Sequence, residues 1–335
     1  MIAPWLEPPW RRLAAWGRTP PHALLVRGRP GLGKTALARA YAKWLLCESS
    51  ARADTACGEC EACQWFEQGN HPDFRQVEPE FLATDAGGEG EAEETKGRGN
   101  KPSRQIKIDQ VRALQDFLAV GTHRAGLRVA IVRPAEAMNQ ATANALLKSL
   151  EEPPPATVFL LVSSQPARLL PTILSRCQAI TVAVPQRAQA LAWLESQGLR
   201  DPEAALAFAG DAPLEALESG AAAGLRDTLP ALLAGDWDPL AVVDRLQAEE
   251  PVAVVDALQK WVYDAGLVRT VGRARYFPRA AGAVGRLAQC SPAGLAGLGR
   301  TLARARAVAS HPLNPRLFME SLFLELARVQ GCRDG

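Results

Sequence analysis

The sequence has little that would direct the chain to a membrane. It contains no apolar run of about 18 residues, the length that a membrane-spanning helix needs. Residues 1–16 mix proline, tryptophan and arginine and lack the apolar core of a signal peptide. We therefore expect a cytoplasmic protein with no membrane partner.

An excess of charge of either sign is also absent. The chain has 38 Lys and Arg against 36 Asp and Glu, a formal net charge of +2. No field over the whole chain therefore draws it to nucleic acid, and any contact with DNA must be local or made through partners. Hydrophobic residues make up 47% of the chain, enough for packed cores, and its length of 335 residues predicts about two or three domains.

Cysteine is sparse except in one short stretch. The chain has seven cysteines, an odd number that argues against a complete set of disulfides. In a reducing cytosol a cluster of thiols favours a metal site, and four thiolates suit a closed, structural Zn²⁺ site. The predicted zinc ligands are Cys47, Cys57, Cys60 and Cys63. The alternatives are four free thiols, or a site in which His71 is a spare ligand.

A glycine-rich sequence follows the first apolar run. Residues 22–27, HALLVR, are typical of a buried strand, and GRPGLGKT follows directly before a helical pattern. This is a complete P-loop, in which backbone N–H groups and a helix N-terminus bind phosphates. The predicted nucleotide-binding residues, for ATP or ADP with Mg²⁺, are Gly28, Gly31, Gly33, Lys34 and Thr35. The alternative is a loop that keeps its shape without binding nucleotide.

The P-loop lacks an acidic partner. Hydrolysis of ATP needs an acid at the end of the neighbouring strand to hold the metal, and a second group to position water. The strand predicted at residues 129–132 ends instead in Arg133 and Pro134, and a cation there would repel Mg²⁺. Glu136 lies too far along the chain to replace the acid without a different backbone path. We therefore expect no intrinsic ATPase activity.

Strand and helix patterns alternate through the first part of the chain. Such alternation predicts a parallel sheet with helices on both faces. Residues 84–104 are rich in Gly, Glu and Lys and predict a flexible surface insertion. Beyond Pro185 the pattern is helical, with stripes rich in Ala and Leu and breaks near Gly210 and residues 235–239.

Several motifs together resemble the AAA+ clamp loader family of bacterial DNA polymerase III. They are the P-loop, the four-cysteine insertion after its helix, residues 144–154 (NALLKSLEEPP) and residues 175–177 (SRC). Two branches share these motifs: ATP-hydrolysing gamma/tau motor subunits keep the acidic pair, and delta-prime subunits lack it. Arg133 and Pro134 make this chain similar to the second branch, and Pro213 stands where the motor has a sensor arginine.

The resemblance implies an architecture of three domains. The first is an α/β P-loop (RecA-like AAA+) domain at residues 1–185, with a zinc module at about 47–63 and the insertion at about 84–104. A small helical lid follows at residues 186–222. The third is an all-α C-terminal collar at residues 223–335, through which subunits assemble.

The resemblance also implies partners and a function. Arg176 would be an arginine finger that enters the ATP site of a neighbouring motor subunit. The partners would be gamma/tau motor subunits and a delta subunit in a hetero-pentamer, the sliding clamp, and primed DNA through the complex. The implied function is support of ATP-dependent clamp loading in DNA replication, as a component of the DNA polymerase III holoenzyme.

Two alternatives compete with this interpretation. One is a motor subunit of the same loader, in which an unrecognised acid allows ATP hydrolysis. The other is a different P-loop machine, such as a branch-migration helicase or a transcriptional AAA+ regulator. These machines need their own acidic pair, and the four-cysteine insertion argues against them.

Overall fold

In the computed structural model the chain divides into two compact units, Met1–Val184 and Pro185–Gly335. The structure describes residues 3–17, 19–49, 55–85, 102–124, 126–218, 220–310 and 314–331. Within those ranges no helix is long and apolar enough to cross a membrane. The predicted insertion at residues 84–104 lies largely outside the described residues. The boundary between a lid and a collar at residue 222 stays a prediction.

The first unit is built on a five-stranded parallel sheet. Its strands are β1 (Ala23–Arg27), β2 (Phe74–Val77), β3 (Arg128–Val132), β4 (Thr157–Ser163) and β5 (Gln178–Thr181). Their order across the sheet is β2-β3-β4-β1-β5. Every residue of β3 and β4 is buried, as expected for parallel strands covered on both faces. The predicted α/β P-loop fold is therefore confirmed.

The helices of this unit begin and end where local chemistry favours it. They are α1 (Glu7–Ala14), α2 (Lys34–Leu46), α3 (Glu61–Glu67), α4 (Glu80–Asp85), α5 (Ile108–Ala119), α6 (Gln140–Glu151) and α7 (Pro171–Arg176). The Asn139 side chain caps α6 by accepting a hydrogen bond from the Thr142 N–H at 2.9 Å. A proline run follows this helix at residues 153–155 and prevents its continuation. Asn139 therefore caps the helix as predicted.

One hydrophobic core joins α5 and α6 to the sheet. Leu114 of α5 and Leu146 of α6 pack there with Phe159 of β4, and all three side chains are almost completely buried. Burial of a side chain of this size stabilises the folded state by about 1.5–3 kcal/mol. This packing fixes the strand ends from which the site residues project.

The secondary-structure elements described in the second unit are all helices. Its α-helices are α8 (Arg187–Ser196), α9 (Pro202–Phe208), α10 (Pro213–Glu218), α11 (Gly220–Leu232), α12 (Pro239–Leu246), α13 (Pro251–Val271), α14 (Ala281–Ala288), α15 (Pro292–Val308) and α16 (Pro315–Gly331). Helix α13 packs against α14 and α15. Its Trp261 is 2% exposed and contacts the Phe277 ring edge to face, with ring centroids 5.1 Å apart.

A buried carboxylate fixes the turn that follows α13. Asp264 is fully buried and accepts hydrogen bonds from the backbone N–H groups of Arg275, Tyr276 and Phe277, at 2.8, 2.9 and 2.7 Å. Burial raises the pKa of Asp264, and the hydrogen bond from the Arg275 N–H opposes that shift. The carboxylate thereby satisfies three donors that would otherwise be left without acceptors.

We expect Asp264→Asn to lower the free energy of unfolding by about 1–3 kcal/mol, because the new amide N–H would face backbone donors. Urea unfolding followed by circular dichroism, with hydrogen exchange at residues 275–277, measures this effect. The exposed Asp236 provides the control, since Asp236→Asn should leave both measurements unchanged. Equal behaviour of the two variants would show that the buried carboxylate does not stabilise this turn.

Candidate functional site

The P-loop connects β1 to α2 and has the backbone conformation that its glycines allow. Gly31 and Gly33 have φ values of 67° and 87°, in the left-handed region that favours glycine. A Cβ atom on Gly28 would lie 2.5 Å from the Val182 carbonyl oxygen. The glycines predicted from the sequence are therefore required by the shape of the loop itself.

Contacts within the protein hold the loop in this shape. The Trp5 indole N–H donates to the Leu32 carbonyl oxygen at 2.9 Å. Lys34 is 6% exposed, and its Nζ donates to the Arg29 carbonyl oxygen at 2.6 Å. Burial lowers the pKa of Lys34, and the negative charge of Glu136 opposes that shift. Lys34 and Thr35 form the start of α2, where a phosphate would meet the positive end of the helix dipole.

The end of β3 carries a positive charge where an acid would hold Mg²⁺. The Arg133 guanidinium forms an ion pair with Glu78, with Nη2 and Oε2 2.5 Å apart. The Arg133 N–H donates to the Val77 carbonyl oxygen at 2.9 Å, which continues the pairing of β3 with β2. The Glu78 carboxylate near this strand end is therefore paired with a cation.

Glu136 is a residue that sequence reasoning set aside. Its Oε1 accepts a hydrogen bond from the Ser164 N–H at 2.9 Å, just after β4. Its Oε2 is buried and has no hydrogen-bond partner among the described residues. Glu136 is also the acid whose charge acts on Lys34. Spacing along the chain could not show this, because the proximity arises from the packing of neighbouring strands.

The four predicted metal ligands lie together. Their Sγ atoms are all within 4.8 Å of one another, and no histidine or carboxylate belongs to the group among the described residues. The Sγ of Cys57 is 3.6 Å from that of Cys47 and 3.9 Å from that of Cys63. A tetrahedral metal with bonds of about 2.3 Å to sulfur requires sulfur atoms about 3.8 Å apart. The cluster therefore fits a metal ion.

Different segments supply these cysteines. Cys47 follows the last residue of α2, Cys60 precedes α3, and Cys63 lies in the first turn of α3. The Cys60 N–H donates to the Cys57 sulfur at 3.4 Å and helps to lower the pKa of Cys57 to about 6. Burial raises the pKa of Cys63 to about 12. A bound cation would favour the thiolate at all four positions.

His71 is separate from this group of ligands. It is 2% exposed, and its Nδ1 accepts a hydrogen bond from the Asp73 N–H at 3.1 Å. Its ring faces Trp65 edge to face, with centroids 6.3 Å apart. The alternative in which His71 serves as a spare ligand therefore receives no support from the structure.

The predicted arginine finger is on the surface of the first unit. Arg176 is the last residue of α7, and its side chain is 35% exposed. Its Nη2 is 2.8 Å from Glu151 Oε1, and its Nη1 donates to the Thr172 carbonyl oxygen at 3.0 Å. The structure therefore brings together the P-loop residues, and separately the four cysteines, while Arg176 contacts α6 and its own helix.

A known protein family and several known proteins match this sequence. The model of the family described as "DNA polymerase III, delta subunit" matches residues 11–186, slightly more than half of the chain. The delta-prime subunit of DNA polymerase III from Escherichia coli is 35% identical over 262 residues, which cover 73% of this chain and 71% of that protein. The chain belongs to the delta-prime family.

Other relatives match this chain over segments of different length. The delta-prime subunit from Pseudomonas aeruginosa is 44% identical over 219 residues, 64% of this chain and 60% of that protein. The tau subunit of DNA polymerase III from Escherichia coli is 33% identical over 156 residues, but these cover 47% of this chain and 20% of that protein. The delta-prime relatives therefore match this chain over a longer segment than the tau subunit does.

Membership of the delta-prime family agrees with the charge at the end of β3. Arg133 follows β3 in a chain whose P-loop keeps its glycines, lysine and threonine. Pro213, at the predicted sensor position, begins α10 and is buried. A buried proline has no charged group to offer to a phosphate.

We expect Gly28→Ala to destabilise the first unit by about 1–3 kcal/mol, because the added methyl group would overlap the Val182 carbonyl oxygen. Nucleotide affinity should fall with the distortion of the loop. Thermal unfolding and titration with a fluorescent ATP analogue measure both effects. Gly121→Ala is the matched control, since a Cβ atom there meets no atom within 4 Å. If Gly28→Ala lowered the unfolding temperature no more than Gly121→Ala does, the predicted overlap with Val182 would be contradicted.

Proposed function

We propose that the chain is a nonhydrolysing subunit of a cytoplasmic clamp loader. In this role it supports the ATP-dependent loading of a sliding clamp onto primed DNA during replication. Its partners would be gamma/tau motor subunits and a delta subunit in a hetero-pentamer, assembled through the C-terminal collar. The observation that carries the proposal is the ion pair of Arg133 with Glu78 after β3, in a chain whose P-loop is intact.

The charges around the P-loop favour binding of nucleotide without turnover. Gly28, Gly31, Gly33, Lys34 and Thr35 would hold ATP or ADP with Mg²⁺. The Arg133 guanidinium lies where the metal-binding carboxylate would be needed, and Glu78 is neutralised by it. Glu136 has one oxygen held by the Ser164 N–H and opposes the charge of Lys34. The nucleotide would then act as a structural ligand.

The position of Arg176 suits an arginine finger that acts on a neighbouring subunit. Its partner Glu151 has a side chain that is 48% exposed, and ion pairs between such exposed groups contribute about 0–1 kcal/mol. Arg176 can therefore exchange this partner for a phosphate at little cost. A planar guanidinium offers two parallel donors to phosphate oxygens, where charge develops in the transition state.

The cysteine cluster is proposed to hold a structural Zn²⁺ ion. Four thiolates leave no open position for a substrate, which is typical of structural rather than catalytic zinc. The ion would supply folding free energy to a segment too short to form a core of its own. The thiolates of Cys47 and Cys63, together with Cys57 and Cys60, would join the end of α2 to the start of α3.

Arg176→Ala should lower clamp-dependent ATP hydrolysis by the reconstituted loader, because the finger is worth about 10³–10⁵ in rate at the site that it serves. Steady-state phosphate release, with assembly checked by gel filtration, measures the change. The exposed Arg168 supplies the matched control Arg168→Ala, and Glu151→Gln should retain the rate. Full turnover by an assembled Arg176→Ala complex would overturn the assignment of the finger.

The isolated chain should bind ATP and Mg²⁺ without turnover. Phosphate release above the background of a Lys34→Met variant would instead favour a motor subunit. Glu136, half-buried near Lys34 with one unpartnered, buried oxygen, is the acid that would have to support such activity. Loss of that turnover in Glu136→Gln would identify it, and the nonhydrolysing proposal would then be wrong.

The purified chain should contain about one zinc ion per molecule, because one set of four cysteines is present. Elemental analysis by mass spectrometry measures it. Cys60→Ser should lose the ion and Cys177→Ser should keep it, since Cys177 lies outside the cluster. Chelation should speed hydrogen exchange at residues 47–63 and leave residues 251–271 unchanged; unfolding of both segments together would contradict a local structural role.

A further inference from the structure

One arginine outside the cysteine cluster contacts both of the segments that supply the cysteines. Arg124 lies in the segment between α5 and β3. Its Nε is 2.5 Å from Glu48 Oε1, and its Nη2 is 2.8 Å from Glu48 Oε2 and 3.1 Å from Glu61 Oε2. Glu48 directly follows Cys47, and Glu61 directly follows Cys60. The guanidinium therefore bridges the residues next to two ligands on separate segments.

The same guanidinium also contacts the aromatic residue of α3. Its central carbon lies 4.7 Å from the centroid of the Trp65 ring, within the range of a cation–π interaction. Trp65 is two residues after Cys63 on α3. The planar guanidinium thus contacts residues within two positions of Cys47, Cys60 and Cys63.

Buried polar residues hold the segment that carries Arg124. The His123 N–H donates to Asp73 Oδ1 at 2.9 Å. The Arg128 guanidinium donates to the carbonyl oxygens of Phe117, at 2.7 Å, and Gly121. Asp73 and Arg128 are each 1% exposed, and Asp73 Oδ1 is 3.6 Å from Arg128 Nε. The position of Arg124 is therefore set from the side of the sheet.

This arrangement has the features of a support outside a metal site. A metal site binds tightly when its ligands are held in place before the ion arrives, and outer contacts typically change affinity by about 10–100-fold. The ligands here come from the end of α2 and from the start of α3, so a contact that joins the two segments can hold the ligands in place before the ion binds. The fork of hydrogen bonds from Arg124 to Glu48 and Glu61 spans that separation.

We propose that Arg124 is a positioning residue of the cysteine site, which holds Cys47 and Cys60 at the spacing that the metal requires. The proposal rests on the zinc site proposed above. It differs from a general contribution to stability, because it assigns to Arg124 an effect on metal affinity and on the rate of metal loss. The planar guanidinium reaches both carboxylates at once, so a lysine at this position should restore the zinc affinity only in part.

The test measures zinc affinity by competition with a chromophoric chelator, and zinc release by transfer to an excess of the same chelator. Arg124→Met should bind zinc about 10–100-fold more weakly and release it correspondingly faster. The zinc affinity and release rate of Arg124→Lys should lie between those of Arg124→Met and those of the unchanged chain. Arg112→Met is the matched control, since Arg112 is exposed and pairs with Asp109 on α5, and it should change neither quantity.

A double-mutant cycle separates this role from a general loss of stability. Glu48→Gln should weaken zinc binding. Arg124→Met should weaken it further, but by less than in the unchanged chain, because the contact of Arg124 with Glu48 is already lost while those with Glu61 and Trp65 remain. Thermal unfolding of the metal-free proteins shows whether they remain folded. Unchanged affinity in Arg124→Met, or additive effects in the double variant, would overturn the proposal. Absence of zinc from the unchanged chain would instead overturn the zinc site itself.

Discussion

The order of the strands is the constraint on which the candidate nucleotide site depends. In a parallel sheet all the carboxyl ends of the strands meet at one edge, and β1 lies beside β4, which in turn pairs with β3. The P-loop, Arg133 and Ser164 follow these three strands. They therefore lie along the same edge of the sheet although long segments of chain separate them. The residue type at the end of β3 decides whether this edge can hold a catalytic metal.

The charges at this edge balance without a metal ion. Arg133 is paired with Glu78, and Lys34 is held by the Arg29 carbonyl oxygen and by the charge of Glu136. Each of these charged groups has a counterpart within the protein. A phosphate would replace the weak local partner of Lys34, whereas a divalent ion would have to compete with the cation at Arg133. In the function proposed above, this difference would separate nucleotide binding from hydrolysis.

Local patterns in the sequence predicted the elements that depend on local chemistry. The P-loop, the buried strands and the cap at Asn139 follow from glycine spacing, apolar runs and a side-chain acceptor before a helix. The four cysteines were found because their spacing is itself a local signal. Glu136 was set aside and Arg124 was not found, since their significance depends on partners that are distant in the sequence. The contact of Arg124 with Glu48, for example, spans 76 residues.

The two candidate sites are connected by a single helix. Helix α2 begins at Lys34 in the P-loop and ends at Leu46, directly before the ligand Cys47. Its 13 residues span about 20 Å at 1.5 Å per residue. Its middle is fixed by the stacked rings of Tyr41 and Trp44, which both contact Trp10 of α1. A metal bound through Cys47 would fix the far end of the helix whose first turn meets the phosphates. If the proposed zinc and nucleotide both bind, the metal would support the nucleotide cradle only through the rigidity of α2, without contacting it.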